Sequence, residues 1–232
     1  MDLPKMKHFL LLPALFALAL GVPANAGEDG SATPSAPSTT TPALAAPALS
    51  QAQIGAQIDR LNAYVRSIST IRGHFVQRAS NGDRQSGTFF WKRPDRLRIE
   101  YDTAPLLIVS DGANIAQIDK ALETIDQVRI AWTPYKFLLK SKFDLRKGAQ
   151  LVRLQRTKTA SFVTLRDKDG KVDGDFTLIF AEPALKLLGW TWENDFDGKV
   201  SFILNDVVEG GKLSPALFAI SEKEHRRGGR RR

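Results

Sequence analysis

The feature that most constrains this chain is an alternation of apolar and polar residues, with a period of two, that begins at Gly73. In the first such segment Phe75, Gln77 and Ala79 lie on one face, and Asn81-Gly82-Asp83 supplies a hairpin turn. About ten short strands separated by similar turns can be counted along the chain. Strands joined by hairpins pair antiparallel, and a sheet of this size usually curls into a barrel or half-barrel.

The later strands are bounded by turn signals such as Asp169-Gly170, Asp173-Gly174 and Asp197-Gly198. One of them, Leu106–Val109, is apolar on both faces. The predicted ranges are 89–93, 97–101, 106–109, 114–120, 122–130, 150–156, 161–167, 175–181, 185–194 and 199–207.

Two helices are predicted beside the sheet. Ser50 is a suitable N-cap for the first, and apolar residues spaced by three and four follow it over about five turns. Thr133 and Pro134 are typical N-cap and first-turn residues for a second helix over Tyr135–Lys140. The expected fold class is therefore mostly β with helices (α+β), with the helices filling the mouth of the curved sheet. The apolar residues of the first helix are Ile54, Ile58, Leu61, Val65 and Ile68.

Residues 1–26 have the pattern of a secretory signal peptide. Lys5 and Lys7 precede an apolar run over Phe9–Leu20, and Ala24-Asn25-Ala26 offers a cleavage site after Ala26. The run is too short for a membrane span, which needs roughly 20 residues, although a membrane anchor is the alternative. We therefore expect export to the periplasm.

Three segments are expected to follow the signal peptide. Residues 27–49 are almost entirely Ala, Pro, Ser, Thr and Gly, a composition typical of a flexible linker. Residues 50–221 carry the helix and strand patterns and are expected to form the folded domain. Residues 222–232 form an arginine-rich basic tail, expected to be disordered and to make weak electrostatic contact with anionic lipid. A solvated tail that binds nothing is the alternative.

Charge and cysteine content exclude several classes of protein. The formal net charge is +8, but the basic tail contributes +4 and the signal peptide +1, which leaves +3 for the rest. A domain with so small an excess of positive charge predicts no nucleic-acid partner. The chain has no cysteine, which excludes disulfides, a thiolate nucleophile and a lipid-anchoring cysteine. A hydrophobic core must therefore stabilise the fold.

The sequence offers little for catalysis. It has no G-x-S-x-G, H-E-x-x-H, phosphate-loop or dinucleotide-binding motif. Most acidic pairs, such as Asp167 with Asp169, adjoin glycine turns, where carboxylates usually bond their own backbone. His74 fits a half-exposed strand position, and His225 lies in the basic tail. We expect no enzymatic activity, no metal and no cofactor, with a glycan hydrolase that uses paired carboxylates as an alternative.

One predicted face combines apolar residues with a cation. Arg93 has the same parity as the aromatic residues that precede it in its strand. A cation among apolar groups must be paired or hydrogen-bonded, because burying an isolated charge is very costly. Alternatively, Arg93 has already reached solvent at the end of its strand, as the following Pro94 suggests. The apolar members of this face are Phe89, Trp91, Leu97, Ile99 and Tyr101.

Short motifs at characteristic spacings accompany this face. They are Gly73-His74-Phe75-Val76-Gln77, Gly87 with Phe90-Trp91-Lys92-Arg93-Pro94, Tyr101 with Pro105, Ile108-Val109-Ser110-Asp111-Gly112, Thr133-Pro134 with Leu138-Leu139, Leu188 with Trp190, and Phe218. No single motif is specific, but their order over residues 52–219 resembles the LolA family, the periplasmic carriers of lipoproteins.

The resemblance implies an incomplete antiparallel β-barrel whose concave apolar face is covered by helices. It also implies a chaperone that binds the acyl chains of lipoproteins on that face and carries them from the inner to the outer membrane. The partners implied are lipoprotein cargo, an inner-membrane lipoprotein-releasing ABC transporter and an outer-membrane acceptor, and a monomer is expected. The implied acyl-binding residues are Phe75, Phe89, Trp91, Leu97, Ile99 and Tyr101.

The resemblance gives Arg93 a role in gating the lid. In the family the matching arginine holds the empty cavity shut, so the expected partners of Arg93 are backbone carbonyls of Thr133–Leu139 or of the first helix. The same curved half-barrel also serves carriers and sensors of other envelope lipids, such as glycolipids or hopanoid-type molecules. In that alternative Arg93 contacts a lipid head group.

Overall fold

One antiparallel sheet of eleven strands organises the part of the chain that the computed structural model describes, residues 49–139 and 143–221. The strands are β1 (Thr70–Ala79), β2 (Arg84–Lys92), β3 (Arg96–Tyr101), β4 (Leu106–Asp111), β5 (Asn114–Asp119), β6 (Thr124–Arg129), β7 (Ala149–Arg156), β8 (Ala160–Asp167), β9 (Asp175–Ala181), β10 (Leu187–Asn194) and β11 (Gly198–Glu209). The helices are α1 (Gln51–Ser67) and α2 (Lys136–Leu139), with 3-10 helices at Ile130–Trp132 and Pro215–Phe218.

Several predicted segments lie outside the described residues. They are the signal peptide, residues 27–48 of the linker and the basic tail. Within residues 49–139 and 143–221, no helix has the length and apolar character needed to cross a membrane.

The strand order is β6-β5-β4-β3-β2-β1-β11-β10-β9-β8-β7, and neighbouring strands run antiparallel. The first six strands form one meander and the last five form a second, and the pairing of β1 with β11 joins the two. β6 and β7 therefore lie at opposite edges and do not pair with each other in the described part of the chain. This confirms the predicted incomplete antiparallel β-barrel, with eleven strands where about ten were counted.

The first helix begins at the predicted residue. The side chain of Ser50 accepts a hydrogen bond from the backbone N–H of Gln53 at 3.3 Å, and Gln53 Oε1 accepts one from the backbone N–H of Ser50 at 2.8 Å. This capping box satisfies two backbone donors of the first turn. Ile68 is extended, with φ −70° and ψ 125°, and passes the chain directly to β1. The residues of α1 in the core are Ile58, Leu61 and Val65.

The second helix begins at Lys136, one residue after the predicted start, and its predicted last residue, Lys140, lies outside the described residues. Thr133 ends the preceding 3-10 helix, because its backbone N–H and its hydroxyl both donate to the carbonyl of Ile130 at 3.0 Å. Its own carbonyl accepts the backbone N–H of Lys136 at 3.1 Å, in the turn that leads into α2. This helix belongs to the connection between β6 and β7. Since those strands are at opposite edges, the connection crosses the sheet, and the burial of Phe137 and Leu138 in the large core places it on the concave face.

The sheet buries apolar residues on both faces near β4. Ile108 belongs to the large core on the concave face, whereas its neighbours Leu107 and Val109 belong to a smaller cluster on the convex face. The 3-10 helix Pro215–Phe218 packs against β3 and β4. This second cover explains why the sequence of β4 is apolar on both faces. The buried members of the convex cluster are Leu107, Val109, Ala116 and Ile118.

Gly87 lies in β2 at a point where the neighbouring strands β1 and β3 come very close to its backbone. A Cβ atom at this position would lie 1.9 Å from the carbonyl oxygen of Glu100 and 2.8 Å from Cε1 of Phe75. Any side chain here would therefore push β3 away from β2. Gly55 in α1 provides the opposite case, because a Cβ atom there would meet nothing within 4 Å.

These two glycines predict opposite effects of the same substitution. We expect Gly87→Ala to lower the free energy of unfolding by about 1–3 kcal/mol or more, because the strands must separate. Gly55→Ala should raise it by about 0.5–1 kcal/mol, because alanine favours the helix. Urea unfolding followed by circular dichroism measures both, and a neutral Gly87→Ala would contradict the packing described for β2 and β3.

Candidate functional site

The six residues predicted to bind acyl chains come together on the concave face. They lie in β1, β2 and β3, and the register places Phe89 opposite Ile99 and Trp91 opposite Leu97. Directly opposed residues in antiparallel strands point to the same face, so the alternation in sequence becomes one continuous apolar surface. Phe75, Phe89, Trp91, Leu97, Ile99 and Tyr101 are 0–8% exposed and belong to one core.

A row of stacked aromatic rings extends this surface across the sheet. The ring centroids of Phe75 and Phe202 are 4.3 Å apart at 15°, and those of Phe202 and Trp190 are 4.3 Å apart at 9°. Phe176 continues the row at 6.4 Å from Trp190. The sequence did not predict Phe202, Trp190 or Phe176 as part of the site. The alternation in the predicted strands 175–181 and 199–207 was the signal that could have found Phe176 and Phe202.

Both helices cover the concave face. The ring of Phe137 in α2 lies 5.6 Å from Phe176, and Tyr135 meets Trp190 edge-on at 6.1 Å. The side chains of the described residues thus fill this face themselves, and the candidate site is closed. The helix residues in the same core as the sheet residues are Ile58, Leu61, Val65, Phe137, Leu138 and Leu139.

Two cavities lie beside the six predicted residues. A cavity of about 30 Å³ is lined by residues that include Tyr135, Trp190 and Phe202. A larger cavity of about 390 Å³ lies at the rim of the sheet. It has an apolar floor and a charged margin. Its floor includes Ile130, Phe137, Phe143, Leu145 and Leu165, and its margin includes Asp95, Lys136, Asp144, Lys147, Asp169 and Lys171.

Arg93 lies at the edge of the concave face, directly after β2, and is half-buried. Its backbone N–H donates to the carbonyl of Ser69 at 2.9 Å, and the N–H of Asp95 donates to the carbonyl of Leu139 at 3.1 Å. The turn that carries Arg93 is therefore attached both to the start of β1 and to α2. The guanidinium carbon lies 6.0 Å from the centroid of the Trp91 ring. Burial lowers the pKa of Arg93, and the nearby charge of Asp95 opposes this shift.

A buried carboxylate in the second meander attaches α1 to the sheet. Glu182 lies between β9 and β10, and its side chain is 1% exposed. It accepts hydrogen bonds from Gln57 Nε2 at 2.6 Å, Ser161 Oγ at 2.7 Å, Arg60 Nη1 at 2.9 Å and Arg156 Nη2 at 3.3 Å. Burial acts to raise the pKa of Glu182, but these bonds outweigh it and hold the pKa at about 2.

Another carboxylate attaches α2. Lys136 Nζ donates to the buried Oδ1 of Asp167, at the end of β8. Asp167 also accepts backbone N–H groups of its own turn, including that of Lys171 at 2.8 Å. Burial acts to raise the pKa of Asp167, but Lys136 and the turn donors lower it below its usual value. Asp167 is a turn carboxylate, as predicted, and it also anchors the helix, which the sequence did not indicate.

The acidic residues considered for catalysis come together in part at one open cavity, whose lining includes Asp173, Asp175, Glu193 and Asp195 together with Arg166. His74 is exposed, and its Nδ1 lies 3.6 Å from a carboxylate oxygen of Asp206. In the pair of Asp167 and Asp169, Asp167 Oδ1 accepts the backbone N–H of Asp169 at 3.1 Å within their own turn. Among the residues with described positions, no group of three or more His, Asp or Glu could hold a metal ion.

Comparison with known proteins identifies one family. The sequence model of the family described as outer membrane lipoprotein carrier protein LolA matches residues 66–221. No curated protein sequence matches the chain.

Several solved structures are similar to this chain. A LolA superfamily protein from Nitrosomonas europaea is 9% identical, with a TM-score of 0.40, over 70% of this chain and 97% of that chain. A DUF1329 family protein from Desulfovibrio piger is 9% identical, with a TM-score of 0.47, over 72% of this chain and 96% of that one. A structure from the MucA/MucB complex of Pseudomonas aeruginosa is 20% identical, with a TM-score of 0.38, over 71% of this chain and 60% of that chain.

The low pKa of Glu182 predicts a pH-dependent contribution to stability. Its folded pKa of about 2 lies below the value of about 4.3 for an unfolded glutamate, so its contribution is complete above about pH 5. The contribution is lost as the pH falls toward 2. The difference in urea midpoint between the wild type and Glu182→Gln should therefore be large at pH 7 and shrink below pH 5.

Asp175→Asn provides the control, because Asp175 forms an exposed ion pair with Arg166 at 2.7 Å. Exposed pairs contribute little, so the midpoint of this variant should differ only slightly from that of the wild type at each pH. A difference between wild type and Glu182→Gln that is constant with pH would contradict the ionised, hydrogen-bonded state of Glu182.

Proposed function

The chain belongs to the LolA family, and from this premise we propose that it is a periplasmic chaperone that carries lipoproteins from the inner to the outer membrane. The lipoprotein acyl chains would bind on the concave face. The observation that carries the proposal is the continuous apolar and aromatic surface of that face, which two helical segments cover. Members of the family are carriers, and we propose no enzymatic reaction for this chain.

A surface of this kind suits acyl chains because apolar burial has no directional requirement. It contributes about 25 cal/mol per Å² whatever the length of the chain. The strand pairings of the described sheet involve no residue of α1 or α2. The helices can therefore move away while the sheet keeps its hydrogen bonds, and acyl chains can replace their side chains.

The turn that carries Arg93 supports a gating role for that residue. This turn joins α2 to the sheet, because the backbone N–H of Asp95 donates to the carbonyl of Leu139. The junction lies beside the predicted acyl-binding residue Trp91. A charged group held at this junction favours the closed form. When cargo leaves, the empty carrier closes. A stronger junction stabilises the closed form and so favours release, whereas a weaker junction leaves cargo more firmly retained.

The proposal includes partners and a location. An inner-membrane ABC transporter would supply the lipoprotein, and an outer-membrane acceptor would receive it. The protein would act as a monomer in the periplasm, after cleavage of residues 1–26, with the basic tail in weak contact with anionic lipid.

Photo-crosslinking tests where acyl chains bind. A lipopeptide with a photoreactive group at the end of its acyl chain should label the concave face, and Phe75, Phe89, Trp190 and Phe202 are the expected sites. Mass spectrometry of the digested protein identifies the labelled residues. The same peptide without the acyl chain should label none of them.

The convex cluster provides an internal control for this experiment. Ile118 and Leu107 are as deeply buried as the concave residues, but they lie on the opposite face. Labelling concentrated on the convex cluster would contradict the proposed site. Concave labelling by phospholipid or glycolipid, but not by lipopeptide, would favour the carrier of another envelope lipid.

Substitution of Arg93 tests the gate. Removal of one charged hydrogen-bonding group is worth about 1–2 kcal/mol, a factor of ~5–30 in the ratio of open to closed forms. Arg93→Leu should therefore retain co-purified lipoprotein more strongly and release it more slowly to acceptor membranes. Arg93→Lys should restore release only in part, because lysine lacks the planar fork of the guanidinium group.

The measurement is transfer of lipoprotein from the purified carrier to outer-membrane vesicles. Circular dichroism establishes that each variant is folded. A folded Arg93→Leu variant that loads and releases cargo like the wild type would contradict the gating role.

A further inference from the structure

We propose that Glu182 is a positioning residue that holds α1 over the concave face, and that α1 opens as a flap when its contacts with Glu182 break. This inference rests on the proposed function in one respect only, namely that opening of α1 gives acyl chains access to the concave face. The closure itself is a property of the described residues and can be measured without lipid.

The contacts of Glu182 divide between a helix and the sheet. Gln57 and Arg60 belong to α1, one turn apart, whereas Ser161 and Arg156 belong to β8 and β7. Arg60 also donates to the carbonyl of Pro183 and to Gln57 Oε1. The carboxylate is therefore the joint between the middle of α1 and the second meander.

The two ends of α1 are held differently. At its C-terminal end Ile68 is extended and leads directly into β1, in the middle of the sheet, so that end moves only with β1. The middle of the helix is attached to the β7 side through Glu182. Rotation about Ile68 would lift Ile58 and Leu61 out of the core that they share with the concave face of the sheet.

The chemistry of Glu182 suits a contact that breaks and re-forms. A buried carboxylate that loses every partner is strongly disfavoured, by several kcal/mol. When α1 moves, however, only Gln57 and Arg60 leave with it. Ser161 at 2.7 Å and Arg156 at 3.3 Å remain on the sheet and keep the carboxylate paired. Opening therefore breaks the bonds of Glu182 to Gln57 and Arg60 but does not leave an isolated buried charge.

The other carboxylates that contact α1 or belong to it are more exposed than Glu182. Asn62 accepts the backbone N–H of Leu145 at 2.9 Å and donates to Asp144 Oδ1 at 3.0 Å, and Asp59 forms an exposed pair with Arg146. Tyr64 accepts the backbone N–H of Leu187 at 2.9 Å. The side chain of Asp144 is 22% exposed, against 1% for Glu182, so water screens its bond more strongly. Hydrogen bonds to charged groups contribute more than those between neutral groups. Glu182 is thus the contact whose loss should change the opening of α1 most.

The absence of cysteine from the sequence permits a direct measurement. A single cysteine placed at Ile58 lies on the face of α1 that is buried against the sheet in the closed form, and it reacts with a chromogenic disulfide reagent only when the helix opens. A single cysteine at Ala116, in the convex cluster, reports global unfolding or opening of the other face. The ratio of the two reaction rates isolates the movement of α1.

Glu182→Gln should raise the reaction rate of Cys at position 58 by about tenfold or more and leave the rate at position 116 nearly unchanged. Arg60→Gln, which removes only the helix cation, should act in the same direction with a smaller increase. Asp175→Asn and Arg166→Gln are the matched controls, because that exposed pair does not touch α1, and neither should change the rate at position 58.

Two results would overturn the proposal. The first is an unchanged rate at position 58 in both Glu182→Gln and Arg60→Gln. The second is an equal increase at positions 58 and 116, which would show that Glu182 stabilises the whole fold without positioning α1. A selective increase at position 58 supports the flap even if the lipopeptide fails to label the concave face, so failure of the proposed function is distinguishable from failure of the flap.

Discussion

The pairing of β1 with β11 is the constraint on which the rest of the structure depends. It runs from Ile71 opposite Glu209 to Ala79 opposite Val200 and places the first and last strands in the middle of the sheet. Each meander then ends at an outer edge, so the chain must cross the sheet between β6 and β7, and it does so over the concave face. The position of α2 follows from this crossing, and the position of α1 follows from its direct connection to β1.

The closed site combines an apolar centre with polar attachments at its margins. Exchanging helix side chains for acyl chains replaces one apolar contact with another, so it changes the free energy little. The few polar contacts that hold the helices therefore have a large influence on the balance between closed and loaded forms. They lie on both meanders, with the Arg93 turn on the first and Glu182 and Asp167 on the second.

The sequence predicted the strands well because a half-buried strand must alternate, and it predicted the start of α1 because Ser50 and Gln53 are close in sequence. It also predicted that Phe89 and Trp91 share one face. It did not predict the network of Glu182, whose donors come from α1, β7 and β8, because no local pattern connects residues so distant along the chain. The same reason applies to the second cover of β4, which comes from the 3-10 helix Pro215–Phe218 and from Ile220, about a hundred residues further along the chain.

The central place of β1 has a consequence for how the chain reaches this structure. Because the chain is synthesised from its N-terminus, β1 can pair with β2 as soon as β2 is available. The other edge of β1 has no partner until β11 follows. The contact of Phe75 with Leu204 joins residues far apart in sequence, and such pairings form slowly because a long loop must close first. During that interval the middle of the future sheet is an exposed strand edge that other chains can join, so nascent protein is most prone to aggregate there.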